Sequence, residues 1–291
     1  MPTLHLVATP IGNLEDITAR ALRVLREVNL IAAEDTRHTG KLLAHFDIQT
    51  RLTSYYEHNK LSKLDRILAA LEVGDVALVS DAGTPALNDP GFELVRAALE
   101  AGHTVSPVPG PSAPIAALVS SGLPTDRFLY LGYLPRKTRD RRRMAEEVAS
   151  LPYTLIFLES PHRLLAALED MQTVFGDRQI AVARELTKLH EEIFRGRISQ
   201  AAAHFRETPP RGEITLVVAG ALAETERWLP DRVRAAIAES LPSGEAPSQI
   251  ARRVALESGW PRREVYRILT TDHRPPTDDR RRHLKQVQGM S

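Results

Sequence analysis

Cysteine is absent from this 291-residue sequence, which excludes disulfides, thiolate zinc sites and cysteine nucleophiles. The absence also fits a reducing compartment. No apolar run approaches the roughly 20 residues of a membrane span, and the N-terminus lacks the basic and then apolar layout of a secretion signal. We therefore expect a cytoplasmic protein with no membrane partner. We predict no metal site, although histidine and carboxylates would still be available as ligands.

Two nucleotide-binding fingerprints are missing as well. The turn after the first predicted strand, residues 10–13, contains no Gly-x-Gly-x-x-Gly and therefore no Rossmann fingerprint. Gly40 and Lys41 resemble the end of a phosphate-binding loop, but Leu42 stands where serine or threonine is required, and Asp35 stands where the first glycine belongs. A Walker A loop is therefore rejected.

The sequence does have a globular composition with local positive charge. Hydrophobic residues make up 43% of the chain and charged residues 26%, and the length suggests about two domains. The net charge is only +1, but arginine and lysine cluster in residues 136–143, and arginine clusters again in residues 252–282. Such local patches favour a polyanionic partner. The alternative for the first run is a solvated helix face.

Two glycine-containing loops organise the N-terminal half. A buried strand is predicted to stop at residues 80–85, SDAGTP. Gly83 allows the backbone to approach a ligand closely, while Asp81 and Thr84 offer an acceptor and a hydroxyl at the carboxyl end of the strand. A second loop, residues 108–113, again leaves a strand and opens a helix. Each loop alone is also typical of an ordinary turn, but together they predict two walls of one pocket.

The alternation of strand and helix patterns predicts an α/β fold. Residues 1–123 favour a parallel sheet covered by helices, and residues 124–222 favour a second α/β domain with a mixed sheet. Residues 230–272 show a helix-turn-helix layout, which is typical either of generic three-helix packing or of nucleic-acid binding. Residues 273–291 predict a disordered tail.

A cluster of polar and ionisable residues follows the second predicted strand. This cluster, EDTRHT, occupies residues 34–39. One interpretation is a helix cap with a surface ion pair. The other is a set of substrate or catalytic contacts, because ionisable clusters at strand ends are candidates for functional sites.

Six motifs taken together resemble a known family. They are residues 7–16 (VATPIGNLED), 33–39 (AEDTRHT), 80–85 (SDAGTP), 109–113 (PGPSA), 159–163 (ESPHR) and 184–188 (RELTK). The set closely resembles the branch of the tetrapyrrole methylase superfamily that methylates a ribose 2'-hydroxyl of ribosomal RNA, and the resemblance covers residues 3 to about 272. One departure is Ser80-Asp81-Ala82, where the tetrapyrrole enzymes have glycine-aspartate-proline.

The resemblance implies two α/β domains with S-adenosylmethionine in the cleft between them, and a homodimer. It implies a cytidine in the decoding region of small-subunit ribosomal RNA as the substrate, either as RNA or in the assembled subunit. The cofactor contacts that it implies are Ile11, Asp81, Gly83, Thr84, Ser112 and Ala113, with Glu159 and Val218 from the second domain. Two alternatives stay open, namely a methylase of a corrinoid or porphyrin and a non-catalytic RNA-binding factor of ribosome assembly.

The chemistry of ribose methylation suggests further candidates. A ribose hydroxyl is a poor nucleophile at neutral pH, so an ionisable group within hydrogen-bond reach would assist removal of its proton. The candidates for that group are Glu34, Asp35, His38, Glu185 and Lys188. The predicted RNA contacts are Arg37, Arg163 and Arg184 around the site, Arg141 and Arg142 in the basic run, and Arg262 and Arg263 near the C-terminus.

Overall fold

The computed structural model describes residues 2–56, 60–221 and 228–272. The chain divides into two compact units, residues 1–221 and residues 222–291. The predicted disordered tail, residues 273–291, lies outside the described residues. In the described ranges no helix combines the length and the apolar character that crossing a membrane would require.

The first unit begins with a parallel sheet whose strands alternate with helices. The strands are β1 (Thr3–Val7), β2 (Leu30–Ala33), β3 (Leu52–Ser54), β4 (Val76–Val79) and β5 (Thr104–Val108), in the order β3-β2-β4-β1-β5. The helices are α1 (Ala19–Glu27), α2 (Thr36–His45), α3 (Lys60–Leu71), α4 (Phe92–Glu100) and α5 (Ala113–Ser121). All pairings are parallel. Strands β2 and β4 are buried along their whole length, as expected for a sheet covered on both faces.

A second, mixed sheet follows in the same unit. Its strands are β6 (Phe128–Tyr133), β7 (Thr154–Glu159), β8 (Gln179–Arg184), β9 (Glu192–Arg197) and β10 (Ile214–Val218), in the order β6-β7-β10-β8-β9. Only β6 and β7 pair in parallel, and the other pairings are antiparallel. The helices are α6 (Thr138–Val148), α7 (Leu164–Phe175) and α8 (Ile198–Glu207). This mixed sheet agrees with the sequence pattern.

Helix α5 connects the two sheets. Its residues Ala117 and Leu118 pack against Ile156, Ala181 and Val217 of the second sheet in one apolar cluster. Helices α6, α7 and α8 contribute to the core on the opposite face of that sheet. Because α5 starts at the end of β5 and lies on the second sheet, its N-terminus stands where the two sheets meet. The predicted division into domains at residue 123 stays a prediction.

The second unit is helical. It contains α9 (Pro230–Ser240), α10 (Pro247–Ser258) and α11 (Arg262–Asp272), which pack around Val233, Ile237, Ile250, Val254 and Val265. Gly259 ends α10 in the left-handed conformation, at a φ of +69°, which permits the tight turn into α11. The α/β fold class with a C-terminal helical region is confirmed.

Candidate active site

A cleft of about 340 Å³ opens at the carboxyl ends of the parallel strands, and residues of the second sheet form its other wall. From the first sheet and its loops it is lined by Ile11, Glu34, Asp81, Ala82, Gly83, Thr84, Leu87, Asn88, Asp89, Ser112, Ala113 and Pro114. From the second sheet it is lined by Tyr130, Tyr133, Leu158, Glu213, Ile214 and Thr215. Open α/β sheets bind ligands at this edge.

The two predicted glycine loops lie side by side in the cleft. Gly83 exchanges two backbone hydrogen bonds with Thr9, at 2.9 and 3.0 Å, and has a φ of +81°. The Thr84 hydroxyl donates to the Pro111 carbonyl at 3.3 Å, which joins the first loop to the second. Gly110 lies so close to β1 that a Cβ there would stand 3.0 Å from the Cβ of Ala8. Gly83 therefore provides the positive φ of the first loop, and Gly110 allows the second loop to approach Ala8 closely.

The structure brings six of the eight predicted cofactor contacts together in the cleft: Ile11, Asp81, Gly83, Thr84, Ser112 and Ala113. Ser112 stands at the N-cap position of α5 but makes no side-chain capping bond. Its hydroxyl is thus available to a ligand at the positive end of a helix.

The other two predicted contacts, Glu159 and Val218, do not line the cleft. Val218 is buried in the core and pairs with Leu155, at the end of β10 that lies away from the cleft. Because β10 runs antiparallel to β7, its first residue, Ile214, is the one that faces the site. Glu159 is buried and forms an ion pair with Arg163, so it links the end of β7 to the turn that follows.

The acidic side of the cleft is a network between two strand ends. The Asp35 amide donates to Asp81 Oδ1 at 3.0 Å, and the Asp81 amide donates to Glu34 Oε2 at 3.3 Å. Burial, with the neighbouring charges of Asp81 and Asp35, raises the pKa of Glu34. Among the described residues no group of three or more His, Asp or Glu side chains could hold a metal ion.

Residues 35–38 combine a helix cap with a surface ion pair. Asp35 is the N-cap of α2, accepts from the Arg37 amide at 2.8 Å and holds the Arg37 guanidinium at 2.8 and 3.2 Å. These bonds from Arg37 hold the pKa of Asp35 well below its usual range, which makes Asp35 a weak base. His38 is exposed on the first turn of α2.

Glu185 and Lys188 form a second ionic group beside the cleft. Lys188 Nζ donates to Glu185 Oε1 at 2.8 Å and to Glu213 Oε2 at 3.2 Å, and Glu213 lines the cleft. Burial alone would lower the pKa of Lys188, but its two carboxylate partners raise it. Burial alone would raise the pKa of Glu185, but the hydrogen bonds from Lys188 and the Glu213 amide lower it. Lys188 is therefore a cation at neutral pH, and Glu185 is its counterion.

The predicted arginine contacts differ in how accessible they are. Arg163 pairs with Glu159 and also donates to Ser160 Oγ at 2.9 Å, and Arg184 donates to Glu192 at 3.0 Å, so both are held in place beside the strand ends. Arg37, Arg142, Arg262 and Arg263 are exposed.

Arg141 is not accessible to RNA. It is buried, and its guanidinium donates to Asp170, Thr138 Oγ1 and the carbonyls of Pro135 and Arg136, which uses all five of its N–H groups. Arg141 lies on the face of α6 that packs into the core, so we remove it from the set of RNA contacts.

Some residues of the site were not predicted from the sequence. Among them, Asp89, Tyr130 and Tyr133 all line the cleft, although they come from distant parts of the chain. Asp89 belongs to the turn between β4 and α4, which the sequence pattern marks only as the approach to a helix. The tyrosines belong to β6, where an alternating strand pattern does not say which residue reaches a ligand.

Comparison with known proteins gives a consistent result. The model of the Tetrapyrrole (Corrin/Porphyrin) Methylases family matches residues 3–202. Among the most similar curated proteins are two called Ribosomal RNA small subunit methyltransferase I. The one from Synechocystis sp. is 50% identical over 92% of this chain and 97% of its own. The one from Escherichia coli O157:H7 is 49% identical over 87% of this chain and 89% of its own.

A solved structure supports the fold. The uroporphyrin-III-C-methyltransferase from Thermus thermophilus aligns with a TM-score of 0.53 at 23% identity, covering 75% of this chain and 94% of that chain. At that identity the likeness concerns the fold alone. From its sequence, its two sheets and its matched residues, the chain belongs to the tetrapyrrole methylase family.

Proposed function

We propose that the protein is an S-adenosylmethionine-dependent methyltransferase that methylates the ribose 2'-hydroxyl of a cytidine in the decoding region of small-subunit ribosomal RNA. The observation that carries the proposal is about 50% identity, over nearly the whole chain, to proteins called Ribosomal RNA small subunit methyltransferase I. The family model ends at residue 202, whereas these relatives align over 275 and 258 residues. Their similarity therefore extends beyond the part that all tetrapyrrole methylases share.

The residues of the cleft fit this cofactor. S-adenosylmethionine carries a positive sulfonium and an ammonium group, and Asp81 and Glu34 supply negative charge where the two strands end. Gly83 offers backbone without a side chain, and the hydroxyl of Ser112, which makes no capping bond, lies at the N-terminus of α5. We propose that Ile11, Thr84 and Ala113 complete the contacts.

When bound, the cofactor supplies a methyl group that is already activated. The tasks left to the protein are to hold the ribose oxygen in line with that group, to exclude water and to accept one proton. Arg37, Arg163 and Arg184 are proposed to hold the phosphates or ribose of the RNA next to the cleft. A ribosomal substrate implies action in the cytoplasm, and the family resemblance implies a homodimer.

The charge distribution favours RNA over a tetrapyrrole. Glu34, Asp81, Asp89 and Glu213 make the cleft acidic, which would repel a substrate with carboxylates on every pyrrole ring. A nucleoside is neutral, and its phosphates can stay outside. The basic run of residues 136–143 begins three residues after Tyr133, which lines the cleft, and its arginines and lysine are exposed except for Arg141.

We expect this basic run to bind phosphates. Exchanging Arg139 and Arg143 together for glutamine should weaken RNA binding. It should also reduce the slope of log affinity against log salt concentration by about 1.4, because each lost phosphate contact to a single strand removes about 0.7 from that slope. Affinity for S-adenosylmethionine should not change. The matched control is the pair Arg23→Gln and Arg51→Gln, which are exposed residues outside the run and the cleft. Equal salt slopes for both double variants would show that the run is structural.

The proposal as a whole is tested by methyl transfer in vitro. Purified protein with deuterated S-adenosylmethionine is offered ribosomal RNA, assembled small subunits or a uroporphyrin-type tetrapyrrole, and products are identified by mass spectrometry. We expect labelled 2'-O-methylcytidine from RNA or from the subunit. Label in the tetrapyrrole alone would favour that alternative, and a protein that binds RNA but shows no cofactor affinity by calorimetry would favour the assembly factor.

A further inference from the structure

The turn between β4 and α4 has an unusual backbone. Ala86 and Asn88 have φ values of +66° and +64°, and Gly91 has +156°. Non-glycine residues rarely adopt positive φ, and such conformations cluster at functional sites, where the surrounding structure maintains them. A Cβ on Gly91 would stand 2.8 Å from the Cβ of Ala86 and 2.9 Å from Leu78 Cδ2. The turn is therefore held tightly closed, with Asp89 at its centre.

This turn reaches across to the second sheet. Gly132 has a φ of +66° and lies where the register of β6 against β7 shifts between Tyr130 and Tyr133. A Cβ on Gly132 would stand 2.5 Å from Asn88 Nδ2, so the Asn88 amide packs directly on the glycine backbone. Asp89 follows Asn88 in the chain, and its charge acts on both Tyr130 and Tyr133. All three residues line the cleft.

We propose that Asp89 is the catalytic residue that accepts the proton of the ribose 2'-hydroxyl. This inference rests on the proposed function. In the step, the O2'–H bond breaks and its proton passes to the Asp89 carboxylate, while the O2' electron pair forms the bond to the methyl carbon. The bond from that carbon to the sulfonium sulfur breaks, and sulfur keeps the electron pair as a neutral thioether. The proton later leaves Asp89 to water.

The surroundings of Asp89 suit a base. Burial is the main cause that raises the pKa of Asp89 to about 6, and the charges of Glu34, Asp81 and Glu213 raise it further. A hydrogen bond from Ser80 acts in the opposite direction and lowers it. A base with a pKa near the working pH is ionised at neutral pH and still takes a proton readily. Asp35 and Glu185 have lowered pKa values, and Lys188 is a cation. Glu34 also has a raised pKa, but one of its carboxylate oxygens accepts the Asp81 amide.

Tyr130 complements this role as a donor. Its hydroxyl is buried and has no hydrogen-bond partner within the part of the chain that the structure describes. Burial, with the neighbouring Tyr133 and the charge of Asp89, raises the pKa of Tyr130 to about 12. The hydroxyl therefore keeps its proton at neutral pH and is suited to donate to a substrate oxygen beside Asp89.

The test is single-turnover methylation of RNA between pH 5 and pH 8.5 by the wild type and Asp89→Asn, with saturating RNA and cofactor. The wild-type rate should rise with pH, reach half of its maximum near pH 6 and level off about one pH unit higher, because only the ionised carboxylate accepts the proton. Asp89→Asn should be slower by about 10² to 10⁴ at pH 8, without that inflection, and should keep its cofactor affinity. The matched control is Glu100→Gln, which removes an exposed carboxylate on α4 outside the cleft.

A second readout needs no activity. Carboxyl carbon NMR of aspartate-labelled protein should show one aspartate titrating near pH 6 in the wild type and missing in Asp89→Asn. The variant should fold, since it removes a partly buried charge among other carboxylates. An absent signal near pH 6, or an Asp89→Asn variant with the rate and pH profile of the wild type, overturns the role of Asp89. Loss of cofactor affinity in that variant also overturns it. A wild type that transfers nothing to RNA overturns the proposed function itself.

Discussion

Replacing Arg141 with alanine is expected to lower the free energy of unfolding by about 3–5 kcal/mol, the cost of breaking a buried ion pair by removing one partner. The change leaves Asp170 buried without its main cation. Asp170 Oδ2 accepts from Arg141 Nε at 2.7 Å, and Asp170 Oδ1 accepts from Arg142 Nε at 2.6 Å. Arg142 is exposed to solvent, which screens its charge, so it cannot compensate the charge of Asp170 to the same degree.

The matched control for this change is Arg143→Ala on the same helix. Arg143 is exposed and lies 3.9 Å from Glu147, so its loss should change the free energy of unfolding by no more than about 0.5 kcal/mol. Urea denaturation of both variants measures the difference. Two variants of equal stability would contradict the structural role of Arg141 and return it to the set of candidate RNA contacts.

Replacing Gly83 with valine is expected to weaken cofactor binding about a hundredfold or more. Valine at a φ of +81° is strained by up to about 3 kcal/mol, and relief of that strain requires the loop to give up its paired hydrogen bonds with Thr9. A tenfold change in affinity corresponds to about 1.4 kcal/mol. Strain of about 3 kcal/mol in the cofactor loop therefore lowers the affinity for the cofactor by about two orders of magnitude. Calorimetry with S-adenosylmethionine measures the loss.

Gly122 provides a control with the same backbone. It ends α5 at a φ of +80°, and a Cβ there would meet nothing within 4 Å. Gly122→Val should therefore lose stability from backbone strain but keep its affinity for the cofactor. If the two variants bind the cofactor equally well, the loop around Gly83 is not part of the cofactor site.

The N-terminal half was the most predictable part of the molecule. In a parallel sheet every strand ends at the same edge, so the order of strands and turns alone brings Asp81, Gly83 and Ser112 together. The second sheet offers no such rule. Val218 and Ile214 belong to the same apolar strand, and only the antiparallel pairing of β10 with β7 decides which end of β10 faces the cleft.

The burial of Arg141 was predictable from the helical spacing of its neighbours, but the many arginines around it obscured that pattern. Arg141, Ala145 and Val148 follow the spacing of one helix face, and the structure buries all three. The count of arginines in residues 136–143 conceals that pattern. Its partner Asp170 is 29 residues away on α7, which no local pattern reveals.

The group around Asp89 depends on contacts between distant parts of the chain. Asp89 and Tyr130 are 41 positions apart, and they meet because Asn88 packs on a glycine at an irregular point of β6. The Asn-Asp-Pro-Gly sequence is typical of any turn. Its positive φ values and its tyrosine neighbours emerge only from the fold.

The most direct test of the central claim is to map 2'-O-methylation in small-subunit ribosomal RNA by mass spectrometry. RNA from a strain that lacks the gene is compared with RNA from the same strain after the wild-type gene or the Gly83→Val gene is restored. One decoding-region cytidine should lose its ribose methyl group without the gene and regain it only with the wild type. Identical maps in all three strains would contradict the assignment of this chain as a ribosomal RNA ribose methyltransferase.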